Sequence, residues 1–182
     1  MATSDDKNRI WNRMLIATVL VVLATFARFI PHPPNFAPLA AVALFAGGVM
    51  TNRWLALALP LAILLLSDSI LGMYPDMPIV YLAFALTTML GFSLNTESQW
   101  TLIFRKSMVA ALMFFVVTNL GVWAVTGLYP HTREGLRACF IAAVPFFQNT
   151  LISTVLFTVM LFACQRLLER VWAARSAAAT IR

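Results

Sequence analysis

The chain has 182 residues, 61% of them hydrophobic and 11% charged, with a mean hydropathy of +0.84. A soluble domain of this size needs a far more polar surface, so the composition excludes a water-soluble globule and predicts an all-α integral membrane protein. Thirteen Lys and Arg against seven Asp and Glu give a net charge of +6, which fits membrane topology and anionic-lipid contact rather than nucleic-acid binding.

A hydrocarbon core of roughly 30 Å takes about 20 residues per helical span, leaving room for about six spans. Apolar stretches at 11–29, 37–51, 54–73, 77–94, 107–128 and 139–161 supply six. The first is flanked by Asp5, Asp6, Lys7, Arg9 and Arg13 and followed by no small-residue cleavage site. It is therefore expected to be a retained helix, not a cleaved signal peptide. Pro38 and Pro78 open the short second and fourth stretches, where a helix tolerates proline. Alternating loops then place Lys7, Arg9, Arg13, Arg53, Arg105, Lys106, Arg166, Arg170, Arg175 and Arg182 on one side, and only Arg28, Arg133 and Arg137 on the other. The positive-inside rule puts the first side, with both termini, in the cytoplasm. The expectation is a six-transmembrane-helix bundle in a bacterial inner membrane. Residues 1–10 form a cytoplasmic segment, 11–164 the membrane domain and 165–182 a cytoplasmic tail, whose Ala-rich 173–180 continues the last helix or frays.

Polar residues gather at the outer ends of these spans. The first outer loop holds Arg28, His32 and Asn35 among Pro31, Pro33 and Pro34, a stiff and extended connection. The third span ends with Asp68, about 21 Å along the helix, where an unpaired carboxylate costs on the order of 2.5–3.5 kcal/mol. Two accounts are open for it: an ion pair with Arg28, or a place in a polar cavity. Tyr74 reads alone as an interfacial belt residue, while Tyr81 opens a helix whose next turns carry Phe84, Thr87 and Thr88. On the fifth span Asn119, Trp123 and the Thr126–Gly127 pair share a face, and Tyr129 and His131 follow in the loop. Asn119 needs a partner, either another helix or a ligand. The sixth span carries Pro145, Phe146, Phe147, Gln148, Asn149 and Thr150, a proline kink with polar residues of the kind that borders cavities. Asp68, Asn119, Gln148 and Asn149 are expected to converge on one outer pocket.

Soluble chemistry finds no foothold here. No Gly-rich phosphate loop, GxSxG, HExxH or CxxC motif is present. Cys139 and Cys164 fall on opposite membrane sides in the six-span reading, so they form no intramolecular disulfide. No nucleophile–base pair or metal triad points to an enzyme, and no intrinsic cofactor is expected.

The segments Arg28…Pro31-His32-Pro33-Pro34-Asn35-Phe36, Ser67-Asp68…Leu71-Gly72…Tyr74, Thr118-Asn119-Leu120-Gly121-Val122-Trp123, Tyr129-Pro130 and Pro145-Phe146-Phe147-Gln148-Asn149-Thr150 resemble those of small six-helix bacterial membrane proteins. These are similar to the substrate-binding S-components of energy-coupling-factor vitamin transporters and include the BtuM-type cobalamin transporters. The resemblance implies an S-component-like bundle with a vitamin pocket under loops 1, 3 and 5, and cobalamin or a related corrinoid as the substrate. It implies action without a dedicated ATPase module, since the Ala-x-x-x-Ala spacing expected in the first helix is absent and occurs instead at Ala58 and Ala62. Asp68, Asn119 and Asn149 would bind substrate amides, Tyr81, Trp123, Phe146 and Phe147 would pack its apolar faces, and Arg28, His32, Asn35, Tyr74, Tyr129 and His131 would complete the substrate-binding set. The cysteine that can hold cobalt in BtuM-type members has no counterpart between Leu71 and Leu86. His32, held between two prolines, is then the first candidate for a cobalt ligand, ahead of His131 and Cys139, with no protein ligand as the alternative. Two other classes stay open: uptake of a different small vitamin or precursor, and a non-transport subunit or enzyme of a membrane complex.

Overall fold

The computed structural model describes residues 4–26, 31 and 33–180, except for the side chains of 4–7, 9 and 176–180. Six helices follow one another: α1 Ser4–Phe26, α2 Leu39–Val49, α3 Arg53–Leu71, α4 Met77–Gly91, α5 Trp100–Val125 and α6 Arg133–Thr180. No strand occurs among the described residues. Three of the helices, Arg53–Leu71, Trp100–Val125 and Arg133–Arg175, are long and apolar enough to cross a membrane. Ile10–Phe26, Leu39–Val49 and Met77–Gly91 are shorter apolar helices.

The centres of the six helices fall where the apolar stretches predict them, but the ends do not. Helix α5 starts seven residues before 107, and α6 starts at Arg133 rather than 139 and continues to Thr180. Hydropathy marks the part of a helix that avoids water. Arg105, Lys106 and Arg170 are good helix formers that hydropathy leaves out. At about 72 Å, α6 is more than twice the thickness of a hydrocarbon core. It stays helical through Pro145 and across the expected boundary of the tail at 165.

Helix α2 is the axis of the bundle. Its 11 residues, LAAVALFAGGV, offer no polar face, and every residue from Ala40 to Val49 is buried. A helix that is apolar all round belongs inside. All five other helices pack on it. At about 16 Å it is roughly half as long as a hydrocarbon core is thick. The closest approach is to α4. A methyl group on Gly47 would lie 2.0 Å from the Thr88 carbonyl oxygen, and one on Gly91 would lie 2.3 Å from that of Leu44. Glycine alone lets these backbones touch. Phe45 completes the contact with α6 by an edge-on stack against Phe162, with ring centroids 5.3 Å apart.

Local signals place the helix starts. Asn52 caps α3 by accepting hydrogen bonds from the backbone N–H groups of Trp54 and Leu55 at 2.9 and 3.2 Å. Pro78 sits in the first turn of α4. The stiff first loop closes on a turn in which Phe36 N–H donates to Pro33 O at 3.0 Å. Asn35 takes φ +60° there, as a Pro-Asn pair at the centre of a type II turn requires.

Candidate binding site

The loop residues 33–38, 72–76 and 126–132 share one end of the bundle, and the expected site residues that are described divide there into three groups. In the first, Asp68 is fully buried near the end of α3. Its Oδ2 accepts hydrogen bonds from the hydroxyls of Tyr81, at 3.1 Å, and Tyr74, at 3.3 Å. The elements explain the meeting. Gly72 breaks α3 with φ +109° one turn beyond Asp68, and the short 72–76 turn brings Tyr74 back over it. Helix α4 then starts early enough for Tyr81 to stand beside α3. Tyr74, a belt residue when read alone and a candidate for substrate binding beside Asp68, donates its hydroxyl to that carboxylate.

The second group joins α6 to the first loop. Asn149, half buried, donates from Nδ2 to Pro34 O at 2.9 Å. Phe36 lies edge-on to Phe157, with centroids 6.0 Å apart. Asn35 is itself exposed at the apex of the turn. Arg28 and His32, expected in this loop as an ion-pair partner for Asp68 and as a cobalt ligand, lie outside the described residues.

The third group lies between α5 and the start of α6. Trp123 Nε1 donates to Pro130 O at 3.0 Å, and its ring meets His131 edge-on at 5.4 Å. Tyr129 is half buried in the same turn, while His131 is exposed. Gly135 lets α6 start against this turn, since a methyl group there would lie 2.0 Å from Pro130 O. Asn119 is engaged one turn deeper. Its Nδ2 donates to Phe115 O on its own helix at 2.8 Å, and its backbone carbonyl accepts from Cys139 Sγ at 3.5 Å. The partner expected for Asn119 is therefore its own helix.

The face of α6 differs from the expected one in two places. Phe147 is half buried and stacks on Phe115, with centroids 4.7 Å apart. Phe146 and Gln148 are exposed, and so is Pro145, so the expected run of polar groups at the kink is split between two faces. Asn149 points to the first loop, whereas Gln148 does not join it.

Sequence reasoning missed a second polar region at the opposite end. Gln165 is fully buried; its Nε2 donates to Arg13 O at 3.2 Å and to Glu169 Oε1 at 2.8 Å. Arg13 Nε meets the same carboxylate oxygen at 3.1 Å. Arg166 donates from Nε to Thr96 O at 2.6 Å and from Nη2 to Ser98 O, while its guanidinium lies 4.2 Å from the centre of the Trp100 ring. A cavity of about 190 Å³ opens beside this region, between the ends of α2 and α4 and the start of α3. Among the described residues no group of three or more His, Cys, Asp or Glu side chains could hold a metal ion.

The family of unknown function DUF6580 matches residues 8–177, nearly the whole chain. The chain belongs to the DUF6580 family. Every site residue discussed above, and the second polar region as well, falls inside the part shared with DUF6580. No curated protein and no solved structure matches the chain.

Proposed function

We propose that this DUF6580 protein is a solitary, S-component-like transporter of the bacterial inner membrane. It would cross the bilayer six times with both termini in the cytoplasm and bind a vitamin at its outer end. One observation carries the reading: a fully buried carboxylate, Asp68, lies beneath the loop end and is met by two tyrosine hydroxyls from a loop and a neighbouring helix. Burying a carboxylate at this depth is costly, and loops give mobile access to it.

The arrangement corresponds to a closed form. The Asn149–Pro34 and Trp123–Pro130 hydrogen bonds tie down the first and last loops of this end, and both must open to admit a ligand. Their donors would then turn to the substrate, an amide and an indole N–H well suited to an amide-rich molecule. Cobalamin, or a related corrinoid, is the proposed substrate on the resemblance set out above. Uptake would proceed by capture at this end, followed by rocking of the bundle to expose the pocket inward.

The test is uptake of corrinoid by cells that depend on this protein, with the visible spectrum of the purified protein as a second readout. Asp68→Asn and Tyr81→Phe are expected to lower uptake while leaving yield and melting temperature near the parent's. If Asp68→Asn keeps uptake intact and lowers only stability, Asp68 is a structural group and the reading fails. A colourless protein that binds no corrinoid but another small molecule would replace the substrate and keep the transporter. Loss of His32 through His32→Ala would change the spectrum of bound cobalamin only if its imidazole holds the cobalt.

A further inference from the structure

The cavity at the opposite end has a chemistry of its own. Its walls include Arg13, Arg53, Thr51, Asn95, Thr96 and Phe92, and no carboxylate among the described residues lines it. Arg53 makes no ion pair among the described residues; its guanidinium lies 5.3 Å from the centre of the Phe92 ring. Arg13 commits Nε to Glu169, which stands outside the cavity. Two guanidinium groups, hydroxyls and an amide gathered on one cavity wall make a site for an anion, since each can donate to it and the guanidinium groups carry positive charge. The planar guanidinium favours an oxyanion with two oxygens to offer, such as phosphate.

Size narrows the occupant. About 190 Å³ is roughly six times the volume of a water molecule in the liquid and well below the roughly 300–1,000 Å³ of pockets that enclose a drug-sized molecule. It takes a phosphate group with a few waters, and the rest of a larger molecule must lie outside. The surroundings say what lies outside. Trp54, next to Arg53, and Trp11, two residues before Arg13, are 81% and 70% exposed, and Trp100 is 44% exposed. Tryptophans displayed in this way mark the headgroup level of a bilayer, and the exposed Leu55 and Leu15 continue the apolar surface from there.

We propose that this cavity binds the phosphate group of an anionic phospholipid, with Arg53 and Arg13 as its charged ligands. The lipid's acyl chains lie along the outer surface of the bundle, and its headgroup bridges the α2–α3 turn and the segment 92–96. This site is independent of the vitamin reading at the other end.

The test titrates the purified protein, in a zwitterionic detergent, separately with short-chain phosphatidylglycerol, short-chain phosphatidylcholine and inorganic phosphate. Melting temperature and tryptophan fluorescence are followed. Phosphatidylglycerol is expected to raise the melting temperature in a saturable manner, and phosphatidylcholine to leave it unchanged. In Arg53→Gln the affinity falls about tenfold or more, as for loss of one charge-assisted hydrogen bond. Arg53→Lys, which keeps the charge and loses the fork, falls between, and so tests the site even if Arg53→Gln folds poorly. Arg105→Gln removes an exposed charge from α5 that does not line the cavity and leaves affinity unchanged. The proposal is overturned if Arg105→Gln weakens binding as much as Arg53→Gln, if Arg53→Lys and Arg53→Gln both bind as the parent does, or if phosphatidylcholine acts equally. An equal response to inorganic phosphate at the same concentration also overturns the lipid and makes the occupant a free anion.

Discussion

The crossing of α2 and α4 allows a sharp calculation. In Gly47→Ala the new methyl carbon would stand 2.0 Å from the Thr88 carbonyl oxygen and 3.0 Å from its carbon. Even a favourable C–H···O contact keeps carbon and oxygen about 3.3 Å apart, so the two backbones must separate by more than an ångström. The obstacle is main chain within a helix, and no rotamer change relieves it. Overpacking a tight core costs about 1–3 kcal/mol, and a backbone obstacle belongs at the upper end. Alanine returns about 1 kcal/mol in helix propensity, leaving a net loss of about 2 kcal/mol. For a chain of this size that lowers the melting temperature by about 4–8 °C. Gly121→Ala is the comparison, because its methyl group would meet the Ile79 side chain, with the nearest atom at 2.7 Å. The obstacle there is one side chain at 2.7 Å (Cγ2) and 3.0 Å (Cβ) rather than a main-chain oxygen at 2.0 Å, so a smaller shift relieves it and the loss is expected to be smaller. The assay is thermal unfolding of the purified variants in one detergent. A Gly47→Ala protein melting within about a degree of the parent, or one no less stable than Gly121→Ala, would refute the idea that glycine sets this contact.

Three further outcomes follow from the geometry. Cysteine introduced at His131 is expected to react with a membrane-impermeant reagent from outside the cell, and cysteine introduced at Arg175 is not, with both native cysteines first replaced; reaction at both positions ends the six-span topology. Trp123→Phe removes the hydrogen bond to Pro130 O and should lower stability by about 1 kcal/mol while loosening the 126–132 turn, which limited proteolysis would read as faster cleavage there. Asn149→Ala frees the first loop from α6, so faster hydrogen exchange is expected at the amide of Phe36; unchanged exchange would mean that the turn holds itself.

The fold was legible because its signals are local and strong. Apolar length marks the helix centres, Asn52 and Pro78 mark two starts, and a carboxylate in an apolar stretch singles out Asp68. The rotation of the helices was not legible. Helix α6 is apolar on nearly every side, so its sequence gives little reason to put Asn149 inward and Gln148 outward; the neighbouring turn at Pro34 decides that. The same limit hid the role of Tyr74, whose position near a helix end suits a belt residue and an inward hydrogen bond equally well. Gln165 was missed for a different reason. It lies where charge density rises toward the C-terminus and reads as the start of a solvated tail, yet it is buried because α6 continues past α1. Its partners, the Arg13 carbonyl and Glu169, are respectively 152 and 4 residues away, and only the first of these pairings fixes two helices together.

Most buried polar groups either serve a helix or join one element to another, while the buried hydroxyls of Thr154 and Thr158 have no hydrogen-bond partner among the described residues. Thr25, Thr87, Thr88, Ser107 and Ser153 each donate to a carbonyl three or four residues back in the same helix. Such a hydroxyl hides its polarity in the backbone ladder and presents little more than a methyl or methylene surface to its neighbours. These residues therefore add to packing without adding a site. Asp68, Asn149 and Gln165 behave differently, since each reaches a separate element. Asp68 and Asn149 lie at the loop end and Gln165 lies at the opposite end, where Gly47 and Gly91 bring the last turns of α2 and α4 into backbone contact beside the cavity.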